Sequence, residues 1–161
     1  MVTQDDSSQR SRVPSIEDLV GLCRELSSRG AKYVVIGGMA VLQHGLVRAT
    51  EDIDLLVDTT ITNEKAVLEA VSRLPDRAAL ELVPGDIEKY EVIRVADEIV
   101  VDLMKTACGI GFEEASKSIM KVNIQGVEVP FASLDLMIKL KKGVRPKDKM
   151  DFQFLTALKQ K

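Results

Sequence analysis

At 161 residues, with 45% hydrophobic and 29% charged side chains, the chain has the size and balance of one soluble globular domain, which excludes a disordered polymer and a second large domain. One histidine and two cysteines exclude a multi-histidine metal centre and a disulfide framework, and the lack of an apolar run of about 18 residues excludes a membrane span. The net charge of −3 is unevenly spread: residues 139–161 carry 8 basic against 2 acidic side chains, so an acidic body ends in a basic segment.

Residues 1–13 are polar with little to bury and read as a flexible tail, leaving 14–161 as a single domain. Ser15 followed by Asp18 reads as a helix start, and Ile16, Leu19, Val20, Cys23 and Leu26 recur at helical spacing up to a stop at Gly30. Lys32–Ile36 is a β-branched strand ended by Gly37 and Gly38, and Met39–Gln43 is a short helix. Ile53–Val57 is a second strand. Thr62 or Asn63 caps a helix through Val67, Leu68, Val71 and Leu74, which stops before Pro75. Residues 76–89 have no clear period, although Pro84-Gly85 marks a turn.

Tyr90–Ala96 and Glu98–Met104 form two strands about Asp97, and Phe112–Ser118 a short helix. Lys121–Ile124 and Val127–Val129 form a hairpin about Gln125-Gly126. Ser133 caps a helix through Leu136, Met137 and Leu140, and a last helix runs from about Lys147 to Leu158. This order predicts an α+β fold with a small mixed β-sheet flanked by helices, without regular βαβ alternation. The polar N-terminus and the cysteine usage point to a protein with no signal peptide, in the reducing cytoplasm.

The chemistry concentrates in residues 36–58. Asp52 and Asp54 stand two apart on a strand and so share one face, where two ionised carboxylates repel unless a cation or a hydrogen-bond network holds them. Oxygen donors with no His or Cys close by favour Mg²⁺ or Mn²⁺ over zinc. The Gly37-Gly38 turn offers unobstructed backbone amides to an anion. The competing reading is a water-facing strand edge beside an ordinary turn. Asp102 interrupts an otherwise apolar run, IVVDLM, where an unpartnered charge is costly; its competing reading is a strand-end residue at a sheet edge.

Gly37-Gly38, thirteen intervening residues and Asp52-Ile53-Asp54-Leu55 resemble the signature of the DNA polymerase β-like nucleotidyltransferase superfamily. The string from Gly37 to Val57 is similar to minimal nucleotidyltransferases, including those of abortive-infection and toxin–antitoxin systems. The likeness extends through Val100–Met104 and Ser133–Phe152.

The resemblance implies a polymerase β-like fold and transfer of an NMP from an NTP to an acceptor hydroxyl by a two-metal mechanism using Mg²⁺ or Mn²⁺. Asp52, Asp54 and Asp102 correspond to the catalytic and metal-binding acids, with Glu98 a weaker candidate for the third. Gly37 and Gly38 correspond to the triphosphate cradle, with Arg48 and Thr50 on the approach to the acids and Lys139 reaching the phosphates. Asp148 and Asp151, after Arg145, would support Lys139 or a basic neighbour.

Each supporting residue has a structural alternative. Arg48 could pair with Glu51 or Asp52, Lys139 could extend into solvent, Asp148 could cap its helix, and His44 reads better as a helix cap than as a base. The rival function is a catalytically weak nucleotide-binding partner or antitoxin-like module of the same fold. The acceptor (RNA, protein or small molecule) and the preferred NTP lie outside these motifs. A helical partner protein is compatible with either function.

Overall fold

The computed structural model describes residues 10–142 and 146–161. The first helix, α1 (Ile16–Ser28), starts on the reciprocal cap that Ser15 and Asp18 predict: the Ser15 hydroxyl accepts the Asp18 amide while the Asp18 carboxylate accepts the Ser15 amide. Strand β1 (Tyr33–Ile36) is buried along its whole length, the pattern of a central strand covered on both faces. It runs directly into α2 (Gly37–Gln43), and β2 (Asp52–Val57) then returns antiparallel to it.

Helix α3 (Ile61–Val71) differs from expectation at its start. Thr60 caps it by accepting the Asn63 amide. The Asn63 side chain is spent elsewhere: it accepts from the Lys32 amide at 2.7 Å and donates to the Lys32 and Asp58 carbonyls, tying α3 to the edge of β1. Residues 76–89, which carry no sequence period, hold a 3₁₀ turn (Ala78–Glu81) and α4 (Asp86–Tyr90). Both are organised by buried carboxylates from distant positions. Glu64 accepts the amides of Gly85, Ile87 and Glu88 at 2.8–3.0 Å, and Asp97 accepts those of Asp76, Ala78 and Glu98.

Strands β3 (Val92–Ala96) and β4 (Val100–Met104) pair antiparallel. A small ribbon, β5 (Thr106–Ala107) with β6 (Ile110–Gly111), leads to α5 (Phe112–Ala115). The expected hairpin forms from β7 (Ile119–Ile124) and β8 (Val127–Ala132), and both turn residues, Gln125 and Gly126, take positive φ. Ser133 caps α6 (Leu134–Leu140) as expected, and α7 (Pro146–Lys159) packs against α6.

The main sheet has the order β3-β4-β2-β1-β8-β7, with β2–β4 and β1–β8 parallel and the remaining neighbours antiparallel. The mixed sheet flanked by helices is the predicted fold class. Ile53 and Leu55 of β2, with Val101 and Leu103 of β4, are fully buried on one face with Leu19, Leu26 and Phe131 in the same core. The opposite face of β2 and β4 carries the acids. Of the expected tail, residues 1–9 lie outside the described residues; Ser11 and Arg12 hydrogen-bond to Asp97 and Glu98 at the β3–β4 turn. Among the described residues no helix is long and apolar enough to cross a membrane.

Candidate active site

Parallel pairing of β2 with β4 sets Asp54 directly beside Asp102, and the two-residue period brings Asp52 to the same face. The three carboxylates present oxygen atoms that all lie within 4.8 Å of one another. The two sequence segments are far apart in the chain, so this convergence is a product of strand register.

The electrostatic result is strong mutual repulsion at short range. Burial, then the charges of Asp52 and Asp102, then a hydrogen bond with Asp102, push the Asp54 carboxyl up to about 7. Asp52 is also raised, first by burial and then by Asp102, with Arg94 and Lys147 partly offsetting both. Three hard oxygen donors, buried or half-buried and mutually repelling, are a fitting donor set for a divalent cation, whose charge would offset both the burial and the repulsion.

The cleft over these acids has a volume of ≈ 240 Å³ and is walled by Gly38, Arg48, Thr50, Arg94, Lys141 and Lys147 among others. The diglycine is dictated by how closely the chain approaches itself here. A Cβ on Gly37 would sit 2.0 Å from Asp54 Oδ2, and the residue takes φ +68°, which favours glycine. A Cβ on Gly38 would sit 2.0 Å from Thr50 Oγ1. Thr50 is buried, and among the described residues its hydroxyl has no hydrogen-bond partner. Gly37, Gly38, Thr50 and the acids thus form one packed unit.

Arg48 also reaches the cleft, but its partner is Asp151, not Glu51 or Asp52. Nε and Nη2 donate to the two Asp151 oxygens at 2.8 Å each, and Nη1 donates to the Ala49 carbonyl. Asp151 is fully buried and also pairs with Lys141 at 3.2 Å; Asp148 lies 3.6 Å from the same ammonium. The basic neighbours of the two α7 acids are Arg48 and Lys141, with Asp151 against both and Asp148 against Lys141.

Lys139 is not in the cleft. It is exposed on α6, while Lys141, just past the helix end, is buried and lines the site. The correction follows from helix phase. Leu136 and Met137 turn inward, which leaves Lys139 outward, and the chain leaves the helical path at Lys141. Glu98 is also away from the acids, paired at the surface with Arg12. His44 caps α2 through its backbone amide, which donates to the Ala40 and Val41 carbonyls, and its Nε2 lies 3.0 Å from the Ala132 carbonyl at the end of β8. Arg145 lies outside the described residues.

Arg94 was not anticipated. It stands opposite Asp102 in the β3–β4 register; its Nε and Nη2 donate to the two Asp102 oxygens at 2.9 Å each, and Nη2 also reaches Asp52 Oδ2 at 3.1 Å. Its only sequence signal is one cation in the apolar alternation VIRVA, and its facing partner depends on the length of the intervening turn.

Residues 15–161 match the family described as nucleotidyl transferase of unknown function (DUF2204). No curated protein matches the sequence. Three solved structures are similar in fold. An antigenic nucleotidyltransferase-like protein from Paracoccidioides brasiliensis aligns with TM-score 0.54 and 16% identity, over 89% of this chain and 76% of that one. A Thermotoga maritima protein assigned as a nucleotidyltransferase aligns with TM-score 0.55 and 16% identity, over 91% and 93%. The lincosamide antibiotic adenylyltransferase LnuA, bound to lincomycin, aligns with TM-score 0.56 and 12% identity, over 91% and 99%.

Proposed function

The chain belongs to the DUF2204 family of nucleotidyl transferases, and on that footing we propose that it moves an NMP from an NTP to an acceptor hydroxyl, with Asp52, Asp54 and Asp102 holding Mg²⁺ or Mn²⁺. The observation that carries this reading is the convergence of the three carboxylates within 4.8 Å on one sheet face, in a cleft whose other wall is basic. Bound divalent ions would supply charge neutralisation at the phosphates and a lowered pKa for the acceptor hydroxyl.

The chain's own residues do the rest. Lys141 and Lys147 provide positive charge along the cleft for the β- and γ-phosphates, and Arg48, clamped by Asp151, shapes the wall behind them. Gly37 and Gly38 let the backbone come close to the phosphates because any side chain there would collide with Asp54 or Thr50. In this reading Asp102, once released by Arg94, accepts the acceptor's proton. The acceptor oxygen then forms a bond to the α-phosphorus, and the bond to the bridging oxygen breaks. Pyrophosphate departs with that electron pair.

A second reading, a nucleotide-binding module without transfer, has Arg94 in its favour, because its guanidinium spans Asp102 and Asp52. One experiment separates the two. The purified protein is incubated with each labelled NTP and Mg²⁺ or Mn²⁺, alone and with total RNA or cell lysate, and the labelled product is identified. Label transfer that is lost in a folded Asp54→Ala protein supports the enzyme. NTP binding with no label on any acceptor supports the binding module, and full activity of Asp54→Ala overturns the site.

A further inference from the structure

We propose that Arg94 is an internal counter-ion that competes with divalent cations for Asp52 and Asp102, and so sets the metal concentration at which the acidic site assembles. The inference rests on the nucleotidyltransferase reading of the three acids and adds to it a residue that controls their loading.

Three of the carboxylate oxygens facing the cleft are already engaged by one guanidinium. Arg94 holds both oxygens of Asp102 and one of Asp52, so a divalent ion shared by Asp52, Asp54 and Asp102 meets the guanidinium at whichever Asp102 oxygen it uses. The two cations also repel, which makes simultaneous occupancy unfavourable. The exchange is feasible because the arginine side is open to water: its side chain is 62% exposed, against 10% for Asp102. A bidentate pair of this geometry is a real competitor for a cation, and a divalent ion displaces it only by bringing the higher charge to the same oxygens.

The displaced arm also has somewhere to go. Arg94, Asp52 and Glu51 border both the cleft over the acids and a second cavity of ≈ 440 Å³ that is further lined by Ser11, Arg12, Ala96 and Val100. Glu51, on the boundary of the two, is a carboxylate outside the metal triad. In the proposal, Arg94 stands over Asp102 and Asp52 in the metal-free protein and swings toward Glu51 when a divalent ion takes the acids.

Mn²⁺ titration of the full metal-free chain, read as free Mn²⁺ by electron paramagnetic resonance, tests this without reference to activity. Arg94→Ala should bind Mn²⁺ about tenfold more tightly than the wild type, and Arg94→Lys, which keeps the charge but loses the fork, should fall between. Metal-free Arg94→Ala should melt below the wild type, since three carboxylates lose their counter-ion, and should gain more on Mn²⁺ addition. Equal or weaker Mn²⁺ binding by folded Arg94→Ala overturns the competition while leaving the acids as a metal site. Absence of Mn²⁺ binding in every variant overturns the metal site and the competition with it. Asp102→Asn, which removes a ligand, should bind weakly whichever residue stands at 94.

Discussion

A Cβ at position 38 would meet Thr50 Oγ1 at 2.0 Å, so two residues twelve apart in sequence have to be chosen together. Gly38→Ala should cost about 1–3 kcal/mol by overpacking, measured by denaturant unfolding. Removing the hydroxyl in Thr50→Ala takes away both the obstacle and an unpartnered buried polar group, so the double variant should recover part of the loss. Additive losses in that cycle would show that the two side chains do not press on each other.

Asp54 supplies a second prediction at the level of one side chain. Its carboxyl titrates near 7 in the fold against 3.8 as a free group, so between those values the folded chain binds more protons than the unfolded one. Metal-free stability from this group is therefore present at low pH and lost as pH rises from about 4 through 7. Asp54→Asn cannot ionise and should lose less over that range, with a gain over wild type on the order of 2 kcal/mol at pH 8, below the full linkage value because the carboxylate keeps some water. Denaturant unfolding in a chelator at pH 5 and pH 8 measures it. The same titration makes cation binding release protons, so metal affinity should climb with pH up to about 7.

At the scale of elements, α7 is fastened to the site by charge as well as by packing. Asp151 is fully buried between Arg48, 10% exposed, and Lys141, 8% exposed. Asp151→Asn would leave two nearly buried cations facing each other with Asp148 as their remaining acid, and should lower stability by about 3–5 kcal/mol in a denaturant titration. The loss should come with detachment of α7, visible as faster amide exchange in 146–159 than in the β1–β2 pair.

Element boundaries were readable where local chemistry decides them. Ser15 and Ser133 announce their helices because a cap acts within one turn. Positions 76–89 were opaque because the groups that satisfy their amides, Glu64 and Asp97, come from other parts of the chain. The same distinction separates Lys139 from Lys141. Spacing places Lys139 near Leu136 and Leu140, but which lysine enters the cleft depends on where α6 stops and how Asp151 is delivered by α7.

Across the whole molecule, the uneven charge acquires a meaning. The basic C-terminal segment folds back on the acidic body, and Lys141 and Lys147 end up facing Asp52, Asp54 and Asp102 across one cleft. Triphosphate binding should therefore weaken steeply with ionic strength. Lys147→Ala, at an exposed position, should leave the fold intact and raise the Kd for an NTP several-fold in the presence of Mg²⁺, with a shallower salt dependence, as calorimetry would measure. An unchanged Kd would remove Lys147 from the phosphate side of the site.

The α+β class, the segments of the main sheet and the shared face of Asp52 and Asp54 were present in residue order, because alternation along a strand and glycine at a close approach are local constraints, whereas the ribbon of Thr106–Ala107 with Ile110–Gly111 was not. The pairing of β2 with β4 belongs to another level. It sets Asp54 beside Asp102 across 48 positions of chain, while the β3–β4 register brings Arg94 onto two of the acids and the end of α6 puts Lys141 rather than Lys139 in the cleft. Contacts of that kind arise from strand register, turn length and helix termination acting together, and residue spacing in one dimension does not carry them.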